Sequence, residues 1–346
     1  MELTVDIVSS VEEIPEGEYN SLHHDTGGSV FYDRRFLLAA EISPLLPVIN
    51  VFYLVVRAHR HLLAVIPVYL QKLEVVDPFN ILSEKAGLIN QGDDLMLVSH
   101  IMHCFDSRLP SRHASLELHD QILHHFRKLA VRTGASYFGL LNVSDPFLLS
   151  HAGALGMNVF HMLDRWHVPV SEYTGFDNFI DRLPYDGRGE MRRQLRKFEA
   201  SGAELIMMSP PFGHRLRQLT ELCQKTTTRH GTPHYFPSRP LEAFCRQCGD
   251  LIRLNLIEHQ GELLAGMICF LEDDVLHLWS AGMQYEGIPF SPYTLAFAGA
   301  YRYAFEHGLT RVEAGRLNAR IKTRLGLQPL PLSAVVSERL TVSSHL

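Results

Sequence analysis

Four stretches of this 346-residue chain hold side chains whose types and spacing suit chemistry. The first is RGEMRRQLRKFEASG, in which Arg188, Arg192, Arg193, Arg196 and Lys197 fall at i, i+4, i+5, i+8 and i+9. On a helix these share one stripe, and guanidinium groups in a stripe hold phosphates through charge-assisted, bidentate contacts. The same cations beside Glu190 and Glu199 also suit a plain solvated face. The second stretch is TTTRHGTPHYFP at 226–237, where Gly231 and Pro233 force a sharp bend. The bend can present His230 and His234 as general bases and Tyr235 as an acid, or it can be a polar loop with aromatic packing. The third is the strand end VEAG with Glu313, followed by Arg316. A carboxylate there can orient or deprotonate an ammonium nucleophile, or pair with Arg311 or Arg316. The fourth is IKTRLG, where Lys322 and Arg324 can bind a carboxylate or phosphate, or cap a last short helix. Trp279, Tyr293, Arg316 and Lys322 complete the candidate substrate-binding set.

Other chemistries lack their motifs. Cys245 and Cys248 form a lone CxxC with no second pair, on a helix where i, i+3 spacing is ordinary packing. The 20 histidines are scattered and none falls in an HExxH spacing, so no metal site is expected. GxGxxG, GxxxxGK[ST] and GxSxG are absent, which removes the common nucleotide-binding and serine-hydrolase readings. Five cysteines without regular spacing fit a reducing compartment. A net charge of -6 excludes a surface that binds nucleic acid throughout, though not a local basic face. With no apolar signal core and no run of about 18 apolar residues, a cytoplasmic protein without a membrane span is expected.

The elements that must position these residues follow from apolar periodicity. Strands are expected at 3–8, 49–58 and 62–72, a helix at 34–41, and a long irregular region at 73–116 that could cover a site. A helix at 118–133, a strand near 135–143, a short helix near 146–155 and a strand near 157–162 close the first half. The second half opens with RWHVPV and reads as helices at 176–183 and 187–201, the latter ended by Gly202. Strand AELIMMS, helices near 212–228 and 238–249, and a meander at 252–259, 263–272 and 275–282 follow. The long helix SPYTLAFAGAYRYAFEHGL, strand TRVEAG, a short helix and a last strand finish the chain. Each half therefore has a similar element order, with no residue-by-residue repeat to support it.

The helix RRQLRKFEASG, the loop RHGTPHY and YRYAFEHGLTRVEAG with IKTRLGLQPLPLSA resemble the Fem-like branch of the GCN5-related (GNAT) acyltransferases. The first half resembles it mainly in SVFYDRRFLLAAE and LLAVIPVYLQK. That branch includes aminoacyl-tRNA-dependent transferases. The resemblance implies an α/β (α+β) fold of two tandem GNAT-like domains, with mixed, mostly antiparallel sheets flanked by helices. It implies a degenerate domain at 1–164 and a second domain at 165–346, with the main site in or beside the cleft between them. It also implies transfer of an aminoacyl group from aminoacyl-tRNA, as co-substrate and not as a permanently bound cofactor, to the amine of a small molecule or peptide. Acyl-coenzyme A or an acyl-carrier protein is the alternative donor, and a non-catalytic binding module the other class. Within this reading Glu313, His230, His234 and Tyr235 are catalytic candidates, and Arg192, Arg193, Arg196 and Lys197 bind the donor.

Two departures bear on the donor. The position of the glycine-rich loop of coenzyme A enzymes reads QYEGIPFSPY, and its prolines lack the amide hydrogens that cradle a pyrophosphate. The helical hairpin arm that many bridge-forming members insert is also absent.

Overall fold

A computed structural model describes residues 3–89, 92–113 and 115–338. The chain divides into two compact units, one running to Leu163 and regaining the chain at Pro331, the other Asp164–Leu330. The sequence reading placed everything after 165 in the second domain. The last strand instead belongs to the first unit, because its hydrogen bonds are made there.

In unit 1 the elements run β1 (Leu3–Val8), α1 (Glu16–Asp25), α2 (Arg34–Ile42), β2 (Asn50–Ala58), β3 (His61–Lys72), α3 (Leu73–Val76), α4 (Ile81–Ala86), β4 (Leu95–Ser99), α5 (Leu116–Thr133), β5 (Tyr137–Val143) and α6 (Pro146–Ala154). Strand β6 (Asn158–Val168) leads into unit 2, which holds α7 (Phe176–Arg182), α8 (Tyr185–Ser201), β7 (Glu204–Met208), α9 (Arg215–Arg229), α10 (Ser238–Cys248), β8 (Ile252–His259), β9 (Glu262–Glu272), β10 (Val275–Met283), α11 (Pro292–Glu306), β11 (Arg311–Ala314) and α12 (Ala319–Arg324). Strand β12 (Gln328–Glu338) then pairs antiparallel with β5 through Ser333–Glu338.

The strands of the two units follow one topology within a 12-stranded sheet. In unit 1, β1, β2, β3 and β4 form an antiparallel meander, and α5 crosses over to β5, which lies parallel to β4. In unit 2, β7, β8, β9 and β10 form the meander, and α11 crosses over to β11, parallel to β10. The crossover is obligatory, because a parallel neighbour cannot be reached by a hairpin. In unit 1 the α5 face buries Ile122 and Phe126 against Leu54, Val56, Ile66 and Val68. In unit 2 the face of Val168, Leu276, Leu278 and Val312 is covered by Leu295, Ala298 and Tyr301 of α11 and by Met191 and Leu195 of α8.

The region 73–116 departs from the expected loop. It contains two short helices and β4, whose five residues LMLVS sit between Asp- and Ser-rich flanks that mask them in sequence. The segment after β4 does not cover a site. Ile101, Met102, His103, Cys104, Phe105 and Ser107 are buried. Ser107 N–H donates to Asn142 O at 3.0 Å, and Asn142 Nδ2 donates to Cys104 O at 2.8 Å. This segment thus fills the end of the β4–β5 pair with its own side chains. Among the described residues no helix is long and apolar enough to cross a membrane.

Candidate active site

At the equivalent end of unit 2 the β10–β11 pairing is short. The parallel register of β10 and β11 stops at Leu278↔Ala314, while β10 runs on to Met283 against β9. A register shift between Leu278 and Ser280 makes Trp279 the extra residue of a bulge, so its backbone lies outside the regular ladder. The Met283 N–H donates to Thr226 Oγ1 of α9 at 3.1 Å, which ties the diverging strand to that helix. The strands therefore part where β11 gives way to Gly315, Arg316 and α12.

Lys322 lies just past the end of β11. It is 4% exposed, and its Nζ donates to the Gly315 carbonyl. Burial, with the Arg316 guanidinium second, pushes its pKa down from the ordinary lysine value to about 7. Arg316 is also buried, and its Nη2 donates to Tyr235 Oη at 2.8 Å. The Tyr293 phenol, which hydrogen-bonds Asn318, is pushed up to about 12 by burial.

Helix α12 is short, so neighbours must hold it. Leu325 is buried, and Tyr301 Oη of α11 donates to its carbonyl at 3.0 Å. Arg324 Nε pairs with Asp186 of α8 at 3.0 Å. Gly326 ends the helix at φ +89°, which glycine adopts without strain. Asn318 starts it at φ +66°, a left-handed position that Asn tolerates.

The predicted residues are placed differently from one another. The 226–237 bend turns its imidazoles out and its phenol in. His230 and His234 are exposed, whereas Tyr235 is buried with its ring 4.8 Å from Phe236. Burial raises the Tyr235 pKa despite Arg316, so its hydroxyl holds that guanidinium and is a poor acid. Trp279 is enclosed by Phe270, Phe236 and Phe244 at ring distances of 4.9, 5.1 and 5.5 Å. It is a packing residue, not an open substrate wall.

Glu313 does not have the surroundings of a base. It is 4% exposed and lies between His167 of β6 and His277 of β10 in the sheet register. Arg165 Nη1 donates to its Oε2 at 3.2 Å, and Arg311 Nε lies 3.1 Å from its Oε1. His277 Nδ1 is 3.6 Å from the same Oε2. Both oxygens are thus engaged by guanidinium groups, and the carboxylate serves as a buried counter-ion. Glu313→Gln removes the carboxylate charge between two guanidinium groups and is expected to destabilise the fold by about 3 kcal/mol, read as a fall in Tm. Activity per folded molecule should stay within a few-fold of wild type. A large activity loss at unchanged Tm would restore Glu313 as the base.

The basic stripe on α8 forms as spaced, opposite buried Met191, Leu195 and Phe198. Part of it is neutralised internally. Arg192 pairs with Asp181, and Arg193 with Glu190 at 2.6 Å. Among the described residues Arg196 and Lys197 have no ion-pair partner, and both are exposed. Cys245 and Cys248 are buried free thiols in α10, and burial raises the Cys245 pKa well above its usual value. Among the described residues no three His, Cys, Asp or Glu side chains converge to hold a metal ion.

What sequence reasoning missed is the state of Lys322. It was legible as a cation near a strand end; that it would be desolvated was not. The alternation of Lys322 and Leu325 about a helix turn was the available signal, since i and i+3 share a face.

A family model described as an acetyltransferase (GNAT) domain matches residues 186–323. No curated protein matches the chain. Among solved structures, FemX aligns at TM-score 0.62 and 11% identity, covering 96% of this chain and 97% of that one. A tandem GNAT protein from the clavulanic acid biosynthesis pathway aligns at 0.57 and 12%, covering 98% and 99%. The C-terminal domain of a putative lysylphosphatidylglycerol synthetase from Agrobacterium fabrum also aligns at 0.57 and 12%, covering 92% and 90%. At such identities the likeness is one of fold, and it spans both units. Residues 186–323 thus match a GNAT acetyltransferase domain, and the whole length of the chain takes the fold of tandem GNAT proteins and FemX.

Proposed function

We propose that unit 2 transfers an aminoacyl group from aminoacyl-tRNA to the amine of a small molecule or peptide. The family match supports acyl transfer as the activity. The start of α11 bears on the donor. Amides at a helix start are the usual cradle for a pyrophosphate. Here Pro292 has no amide hydrogen, Ser291 N–H donates to Gln194 Oε1 at 2.6 Å, and Thr294 N–H donates to Ser291 Oγ at 3.3 Å. These donors are satisfied within the protein, which disfavours coenzyme A at this position. The resemblance to the Fem-like branch supports the same donor.

Lys322 is the base in this reading. As the neutral amine it takes the proton of the acceptor ammonium, whose nitrogen then attacks the ester carbonyl carbon. The C–N bond forms, protonated Lys322 gives its first proton to solvent, takes the second proton from the attacking nitrogen and passes it to the ribose oxygen as the bond from the carbonyl carbon to that oxygen breaks. A base with a pKa near the working pH suits both transfers. In this reading the backbone amides at the Trp279 bulge, outside the regular ladder, stabilise the tetrahedral oxyanion. Arg316, held by Tyr235, keeps a fixed positive charge beside the reacting groups. Arg196 and Lys197 offer contacts to donor phosphates.

The experiment supplies the protein with labelled aminoacyl-tRNA, or with acyl-coenzyme A, and a panel of amines. Amide product from charged tRNA that disappears when the tRNA is first digested with ribonuclease is the expected result. Product formed only with acyl-coenzyme A, or insensitive to ribonuclease, would overturn the donor assignment. No product with any donor would leave a binding module.

A further inference from the structure

We propose that the surface of unit 2 around α12 holds the unpaired 3′ end of an RNA, with Tyr285–Arg229 and Tyr185–Arg188 as two stacking platforms. This rests on the donor reading above and adds the subsite through which the RNA is recognised.

Most aromatic side chains of the unit are packed, but two of its tyrosines are not. Tyr185 is 86% exposed and Tyr285 44% exposed. Each carries a guanidinium near its ring, Arg229 at 4.2 Å from the Tyr285 centroid and Arg188 at 5.9 Å from that of Tyr185. The two pairs bracket α12. Tyr285 follows β10 and lies close enough to act electrostatically on Tyr293, whose hydroxyl bonds Asn318 at the start of α12. Tyr185 opens α8 beside Asp186, the partner of Arg324 at the end of α12. Leu317 and Ile321, exposed at 51% and 42%, belong to α12 and its approach. The exposed Arg196 and Lys197, which have no ion-pair partner among the described residues, lie further along α8 from Tyr185.

This combination favours one ligand chemistry. A planar ring with a guanidinium beside it stacks any nucleobase, and a row of cations follows a phosphate backbone. An acidic peptide would use the cations but has no need of the exposed rings. A neutral glycan would use the rings but not the cations. The position beside Lys322 is where the reactive end of an aminoacyl-tRNA must lie.

The test uses the full chain and an uncharged RNA hairpin, either blunt or with a short single-stranded 3′ tail, followed by fluorescence anisotropy. The tail is expected to strengthen binding. Tyr185→Ala and Tyr285→Ala should each weaken binding of the tailed RNA by about five- to a hundredfold, leaving the blunt hairpin unchanged. Arg196→Glu should weaken both RNAs and flatten the salt dependence. Equal binding of the tailed and blunt RNAs, or tyrosine variants that bind the tail like wild type, would overturn the proposal. Coenzyme A binding that depends on Tyr285, without binding of tailed RNA, would overturn it too. Tail binding that persists while charged tRNA gives no product would sink the donor reading and leave the RNA surface standing.

Discussion

Lys322→Met is expected to lower turnover by about 10²- to 10⁴-fold, the range a positioned general base contributes. Wild-type kcat/KM should rise with pH along a limb centred near 7, because burial and Arg316 bring the amine to that value. The variant should lose that limb. Stability should move differently. Between the folded value of about 7 and the ordinary 10.5, the unfolded chain binds more protons at this residue than the folded one. Stability from this group therefore grows as pH rises from 7 to 10.5, and is lost as pH falls to 7. At neutral pH the buried amine costs the fold several kcal/mol, partly offset by its bond to Gly315 O. Lys322→Met should accordingly show a Tm at pH 7 equal to or above wild type, with the difference shrinking toward pH 10.5. A thermal melt series and a pH–rate profile decide the matter. Wild-type turnover in the variant, or an unmoved limb, would remove Lys322 from the mechanism.

The second large effect concerns a residue with no functional group. Helices α8 and α12 approach so closely at Gly187 that an added Cβ would lie 1.9 Å from the Arg324 carbonyl oxygen. That oxygen is backbone, so relief requires one helix to move. Movement of α12 carries Lys322 with it, and a displacement of about 1 Å at a catalytic group costs on the order of 10²-fold in rate. Gly187→Ala is therefore expected to cut kcat by about that factor and to lower Tm. Gly189→Ala is the control, since nothing lies within 4 Å of its added Cβ. There the better helix propensity of alanine should leave stability unchanged or raise it by up to about 1 kcal/mol. If the two variants behave alike in kcat and Tm, α12 is not positioned by this contact.

The tandem architecture was legible because its elements carry strong periodic signals. The meander β8–β9–β10 alternates and is punctuated by turns, and α11 starts at Ser291-Pro292 and is followed within two residues by Gly308. In unit 1 helix α1, the short helices α3 and α4 and strand β4 were not legible. Helix α1 buries only Tyr19 and Leu22 among ten mostly polar residues, so its periodicity is faint. Strand β4 is short and almost wholly buried, and a five-residue apolar run does not announce its type.

The site divides along the same line. Residue identities near Gly315 and α12 could be named as candidates from strand-end and helix-start logic. Their roles could not. Glu313 reads as a base until β6 and β11 pair and bring Arg165, 148 residues away in sequence, against its oxygen. Tyr235 reads as an acid until its bend folds inward onto Arg316. Lys322 reads as a phosphate ligand until burial beside Gly315 strips water from its amine. The sequence by itself determined the strongly periodic elements and which ionisable groups stand near the end of β11. Only the tertiary structure decided which of those groups is paired, which is exposed and which is desolvated. The reason is physical: charge is a property of a side chain, but proton affinity depends on solvation and on neighbouring charges brought together from remote parts of the chain.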